Sequence, residues 1–273
     1  MSFLPFEVLL TATPSNASRP ATFAYFLEKH PLSYAISATL FDFVRQRPAA
    51  KKPATEAFLA LAPFADTKVN LFADTSLRNR FQPLPFSGQE VVAAAKLMKG
   101  AYWVAERASL SNFQEAAQQY RILHIATHAE ANDQQGDYSF LAFSNGSDSA
   151  TKSPSRLLAT EIYQMSLDAD LVVLSACQTG LGKYLAGEGL IGLSRAFFCA
   201  GAKRLLTSFW SVNDQTTKNL MLLFYQELQK KDQGVNVAFW NARKQFLKKY
   251  PQNAHPFFWA GFVLNGELRS MSR

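Results

Sequence analysis

Apolar positions in this chain recur in two different periods. Short, nearly uncharged runs read as buried strands. They are FLALAPFAD (58–66), AYWVAERA (101–108), YRILHIATHAE (120–130), DLVVLSAC (170–177), AKRLLTSFW (202–210) and FFWAGFVLNGE (257–267). Between them lie stretches with the i, i+3, i+4 spacing of amphipathic helices. GQEVVAAAKLMKG (88–100) is Ala-rich and stops at Gly100; SNFQEAAQQ (111–119) opens on Ser111 and Asn112 as cap candidates. LLATEIYQMSL (157–167), GLIGLSRAFFCAG (189–201), QTTKNLMLLFYQELQKK (215–231, capped by Asp214) and VNVAFWNARKQFLKKY (235–250, stopped by Pro251) complete the set. YSFLAFSNG (138–146) reads as a hairpin. Residues 3–11 and 32–40 read as extended, and 41–47 as one or two helical turns ended by Pro48. From residue 58 on, strands and helices alternate. That order predicts an α/β fold with a mainly parallel sheet and helices on both faces. No repeat or shift in composition divides the chain, so residues 1–273 are expected to form one domain.

Composition narrows the classes. With 48% hydrophobic and 18% charged residues the chain has material for a large core, which excludes a disordered polymer. Two cysteines, Cys177 and Cys199, cannot staple a chain of this length, and their scarcity fits a reducing, cytoplasmic compartment. The MSFLPFEVLL terminus lacks a basic leader, and no apolar run reaches the roughly 18 residues of a membrane span. Net charge is +7; residues 225–273 hold eight basic against three acidic side chains, so most of the excess lies on the last helices. Solvated helix faces account for it. Nucleic-acid binding through those helices is the weaker alternative, because no RNA-binding or zinc signature accompanies the charge.

Open α/β sheets place their chemistry beyond the carboxyl ends of the strands. His128 ends the strand 120–128 and Cys177 ends the strand 170–177. A thiol beside an imidazole is the minimal pair for cysteine nucleophilic catalysis. Gly180, Gly182, Gly187 and Gly189 after Cys177 let backbone approach a substrate closely. The segment QTGLGKYLAGEG is not a phosphate loop, since Tyr184 follows Lys183 where Ser or Thr is required. In caspases the nucleophile lies in Q-A-C-x-G with its histidine about 50 residues upstream. Here S-A-C-Q-T-G follows His128 by 49 positions.

A broader resemblance runs through ILHIATHAE, LLATEIYQMSL, ADLVVLSACQTGLGKYLAGEGLIGLSRAFFCAGAKRLLTSFWSVNDQTT and HPFFWAGFVLNGE, in that order, with LPFEVLL and LSYAISATL upstream. Together they resemble the CHAT family, caspase-like peptidase domains usually found in bacteria behind tetratricopeptide repeats. The resemblance covers nearly the whole chain. It implies a caspase-like three-layer α/β/α sandwich and a cysteine endopeptidase acting through Cys177 and His128. It implies no cofactor or metal, a protein or peptide substrate, and an upstream repeat region as regulatory partner. Backbone N–H groups of Cys177 and Ala129 would form the oxyanion hole. Three departures stand out. Ala129 replaces the usual glycine, Gln178 stands where the family commonly has Glu, and the chain starts almost at L-P-F-E, where the family carries a further strand upstream. A caspase-like domain that only binds a partner is the competing reading.

Other residues carry weaker signals. Asp214 is a helix cap or, alternatively, an acid selecting a basic P1 side chain; Asp137, Asp170 and Glu188 are its rivals. Trp210 and Phe209 could wall a groove or pack in the core. Ser175 and Thr179 lie near the nucleophile. Cys199 reads as core. His124 cannot share an ion with His128, because four strand residues separate them by about 13 Å; it reads as structural, as do His30 and His255.

Overall fold

The computed structural model describes residues 5–48, 53–65, 81–132, 134–144, 155–175, 177–178, 188–210, 212–231, 233–267 and 271. Its elements in chain order are α1 (Ala38–Gln46), β1 (Glu56–Ala62), α2 (Pro85–Met98), β2 (Ala101–Val104), α3 (Leu110–Ala116), β3 (Tyr120–Ile125), β4 (His128–Glu130) and β5 (Phe140–Phe143). There follow β6 (Ser155–Leu158), α4 (Ala159–Ile162), β7 (Leu171–Leu174), β8 (Cys177–Gln178), α5 (Glu188–Ala200), β9 (Arg204–Ser208), α6 (Asp214–Leu228), α7 (Val235–Lys249) and β10 (Phe262–Gly266).

Six strands form the main sheet in the order β10-β9-β7-β3-β1-β2. All neighbours are parallel except β10, which runs antiparallel to β9. Strand pleating sends alternate side chains to opposite faces. Phe58, Ala60, Leu171 and Val173 meet Val91 of α2, Phe224 of α6 and Phe239 of α7 on one face. Leu59, Leu61, Val172 and Leu174 meet Val44 of α1, Phe113 of α3 and Phe197 of α5 on the other. Each fully buried side chain of this size contributes about 2 kcal/mol through its removal from water. The result is a three-layer α/β/α sandwich. Four short strands form a second sheet, β6-β5-β4-β8, beyond the carboxyl end of the first.

Several elements differ from the sequence reading. The run 120–130 breaks after Ile125: Ala126 donates its N–H to Leu61, Thr127 donates its hydroxyl to the Ala142 carbonyl at 2.5 Å, and β4 then starts a new sheet. The hairpin expected within 138–146 instead pairs β5 with β6, Phe140 facing Leu158, so the helix expected from 157 is first a strand and then a single turn. Cross-strand burial of Leu157 overrides its helical spacing. Of the segments expected to be extended, Phe6–Val8 form a short 3-10 turn, Leu10 bridges Tyr25, Tyr34 bridges Asn265, and α1 begins at Ala38. Ser37 then caps α1 by accepting the N–H of Leu40 at 3.1 Å. Ser109, not Ser111 or Asn112, caps α3. Asn213, not Asp214, caps α6, accepting the N–H of Thr216 at 3.1 Å. Cys199 is exposed, not core, because the buried stripe of α5 runs through Leu193, Ala196, Phe197 and Ala200.

A buried ion pair fastens the N-terminal segment. Arg243 of α7 bonds Glu7 and the Phe262 carbonyl, and the Tyr34 hydroxyl donates to Glu7 at 2.5 Å. Burial by itself would raise the Glu7 pKa; the Arg243 charge and the hydrogen bonds outweigh it and hold the carboxyl below its ordinary value. A depressed carboxyl stabilises the fold at neutral pH and loses that contribution as pH falls through its folded-state pKa. Glu7→Ala leaves the Arg243 charge buried and unpaired. It should cost about 3–5 kcal/mol in denaturant unfolding, and a loss under 1 kcal/mol would contradict this account of the N-terminal segment.

Candidate active site

The site follows from strand register. Along β3 and β7, Ile122 faces Leu171 and Ile125 faces Leu174, an offset of 49 residues. Both strands then break, and both resume in the second sheet at the same offset: β4 pairs with β8 in parallel, His128 facing Cys177 and Ala129 facing Gln178. The interval between the histidine and the cysteine is therefore the register of two adjacent parallel strands. The neighbouring strands keep the same level. His128 lies three residues past the Leu61–Ile125 pair, and so does Phe64 on the β1 side. Trp210 lies three residues past the Leu174–Thr207 pair, as Cys177 does.

His128 is only 2% exposed. Phe64 and Phe81 present ring edges to the imidazole at 4.8 and 5.7 Å between centroids, and Phe81 stands next to Phe140. The Gln82 carbonyl lies 2.6 Å from His128 Nε2. A carbonyl only accepts, so Nε2 carries the hydrogen and Nδ1 of the neutral ring holds the lone pair. Nδ1 is buried with no hydrogen-bond partner among the described residues. Burial pulls the pKa of this imidazole from 6.5 down to about 4, against a smaller upward pull from the Gln82 carbonyl. The ring is neutral, and among the described residues its lone-pair nitrogen has no partner.

The position after the histidine also fits. Among the described non-glycine residues only Lys99 and Ala105 have positive φ. Ala129 is therefore in ordinary extended backbone, which alanine adopts without strain.

The structure distributes the remaining candidates. Asp214 lies half-buried in the first turn of α6, and its Oδ2 accepts the N–H of Phe86 at 2.8 Å. Burial raises its pKa, partly offset by the Phe86 N–H. Asp137 is exposed in the turn Gly136–Tyr138 between β4 and β5. That turn lies against α5 at Gly192, where a Cβ would come within 2.6 Å of the Gly136 carbonyl oxygen. Glu188 starts α5, its side chain outside the described residues, and Thr179 also lies outside them. Trp210 is half-buried; its indole N–H donates to the Phe257 carbonyl at 2.9 Å and the ring packs on the core. Phe209 is half-buried and bonds Gly261 through its N–H. Ser175 is buried and donates its N–H to Ile125. Asp170 is withdrawn as a specificity residue, because it precedes β7 at the opposite end of the sheet, paired with Arg121 and Lys203. His124 lies between Glu90 at 2.8 Å and the Tyr225 hydroxyl at 2.7 Å, all three fully buried. His255 caps a short turn through Nδ1 and His30 packs on Phe26. Among the described residues no helix is long and apolar enough to cross a membrane.

Sequence reading missed Gln82, Phe81 and the link from Asp214 to Phe86. Gln82 acts through its backbone, so its side-chain identity carries no signal. Phe64 could have been found by extending the β1 run in register.

This topology, with paired strand ends at the carboxyl edge, defines a three-layer α/β/α protein with a mainly parallel central sheet. The CHAT domain family matches residues 1–267, and the chain belongs to that family. Tetratricopeptide repeat protein 28 of Mus musculus is 33% identical over 111 residues, and its Homo sapiens counterpart 34% over 110. Each alignment covers 40% of this chain and only 4% of the relative. Among solved structures, Saccharomyces cerevisiae separase in complex with securin superposes with a TM-score of 0.52 at 12% identity, covering 86% of this chain and 14% of that one. The Arg-specific cysteine proteinase gingipain R gives 0.50 at 11%, covering 83% and 50%.

The depressed His128 pKa fixes a pH dependence. The unfolded imidazole titrates near 6.5 and the folded one near 4, so the unfolded state binds the extra proton between those values. Stability from this residue is complete above about pH 6.5 and lost progressively toward pH 4, by about 3 kcal/mol. Denaturant melts of wild type and His128→Gln from pH 7 to 4 should diverge in that window; parallel curves would contradict the buried neutral ring.

Proposed function

We propose that this chain is a cysteine endopeptidase of the caspase-like type, with Cys177 as nucleophile and His128 as proton carrier. The observation that supports it best is the pairing of His128 with Cys177 on adjacent parallel strands. In this reading the Cys177 thiol gives its proton to Nδ1 and the sulfur attacks the scissile carbonyl carbon. The backbone N–H groups of Cys177 and Ala129 hold the resulting oxyanion. The imidazolium passes the proton to the leaving amine, the C–N bond breaks, and an acyl-enzyme remains. Water, deprotonated by Nδ1, releases the acid and restores the thiol. A base with a pKa near 4 is weak alone; the negative sulfur forming beside it raises its proton affinity as the reaction needs it.

The substrate is a protein or peptide, with a basic P1 residue as the finer part of the proposal. Asp137, exposed in the turn between β4 and β5, is the acid that supports it, since the Asp214 carboxylate is engaged with the Phe86 N–H. The relatives are named for tetratricopeptide repeats, so a repeat region is the partner we propose for presenting substrate. A reducing cytoplasm is the compartment we propose, as it would keep the Cys177 nucleophile in its thiol form. The 2% exposure of His128 favours a second reading, a partner-binding domain with a closed site.

Cleavage of a peptide library should be reduced on the order of a thousandfold or more by Cys177→Ala and by His128→Ala, with Arg or Lys preferred at P1. Cleavage that persists in Cys177→Ala would end the peptidase reading. Binding of a partner by wild type and Cys177→Ala alike, without cleavage by either, would establish the second reading.

A further inference from the structure

The Phe81–Ser87 segment is held at nearly every step. The Phe81 ring packs on Phe64 and His128. The Gln82 carbonyl takes the His128 Nε2 hydrogen, Leu84 donates its N–H to the Phe64 carbonyl at 2.8 Å, and the Ser87 hydroxyl bonds the Leu84 carbonyl at 2.6 Å. The far end is held from another helix. Leu84 precedes α2 and has no side-chain acceptor with which to cap it. Asp214 supplies the missing acceptor by taking the N–H of Phe86 at 2.8 Å. One helical turn on, Lys218 lies over the Phe86 ring at 5.0 Å and bonds Gln89 at 3.0 Å. Asp214 and Lys218 thus grip Phe86 on two sides.

The position of α6 gives this grip its meaning. It begins just after β9, which borders β7, the strand that leads into Cys177. Asp214 is therefore a brace from the thiol side of the sheet to the segment whose carbonyl orients the imidazole.

We infer that Asp214 is a positioning residue for His128, acting through Phe86 and the Gln82 carbonyl to keep the hydrogen on Nε2 and the lone pair on Nδ1. The inference rests on the proposed Cys177–His128 pair. It concerns the imidazole's orientation and is independent of any P1 preference. The acceptor matters here more than the charge. Asn at position 214 keeps a carbonyl for the Phe86 N–H, whereas Ala does not.

The test reads the thiol without any substrate. The full chain carrying Cys199→Ser is alkylated with iodoacetamide across pH, and the rate at Cys177 is followed by peptide mass spectrometry. An oriented Nδ1 that accepts the thiol proton as the sulfur attacks should move the apparent midpoint of labelling below the roughly 8.5 of a free thiol. His128→Ala should return it to that value. Asp214→Ala should move it upward by about one unit or more, about tenfold slower labelling at pH 7, while Asp214→Asn stays near wild type. Phe86→Pro deletes the N–H donor in the first turn of α2, where that N–H has no acceptor within the helix; it should behave as Asp214→Ala and serves if that variant does not fold. If His128→Ala shifts the midpoint while folded Asp214→Ala or Phe86→Pro does not, the positioning role is wrong and the pair stands. If His128→Ala leaves the midpoint unchanged, the pair itself fails and the inference with it.

Discussion

The register between two parallel strands is the constraint on which the rest of this molecule depends. Parallel neighbours cannot slip by one residue without sending every core side chain to the wrong face. Leu171 and Val173 on one face, and Val172 and Leu174 on the other, pack against different sets of helices, so a one-residue slip of β3 against β7 would exchange the two packed faces. The observed offset survives the break into the second sheet. The core thus specifies which residues face each other at the strand ends. Hydrophobic packing well below the strand ends sets which residue faces His128.

The second requirement is to hold a polar ring inside an apolar wall. Phe64, Phe81 and Phe140 exclude water from the imidazole, which disfavours its charge; the Gln82 carbonyl supplies the single hydrogen bond that keeps it oriented. Among the described residues its Nδ1 has no hydrogen-bond partner. Unsatisfied buried polar atoms are rare in folded proteins and concentrate where chemistry needs a free lone pair. His124, four residues earlier, is buried between the Tyr225 hydroxyl and the Glu90 carboxylate.

Much of this was legible in the sequence, and the parts that were not share a cause. The strands 58–66, 120–130, 170–177 and 202–210 stood out because burial on both faces removes polar residues from them. Their alternation with helices implied the parallel sheet. The 49-residue interval was visible as a number, but its meaning as a register needed the pairing. Leu157 and Leu158 misled because a short strand followed by one helical turn has the spacing of a longer helix. Asp214 looked like a cap for its own helix and instead accepts from the first turn of another, a relation no local pattern encodes. Gln82 was invisible because its carbonyl is common to every residue. Cys199 was misjudged from apolar neighbours without regard to helical phase.

The central claim is that positions 128 and 177 sit opposite each other on adjacent strands. The most direct measurement replaces His128 by Cys in a Cys199→Ser chain and asks whether the thiols at 128 and 177 can be joined. Register-paired strands bring Cα atoms to about 5 Å, within the range a disulfide or a short bis-alkylating reagent spans. The account predicts an intramolecular cross-link that closes the loop between 128 and 177 in the folded protein and is lost in denaturant. Two thiols that alkylate independently in a folded chain, with no cross-link under oxidising conditions, would contradict it.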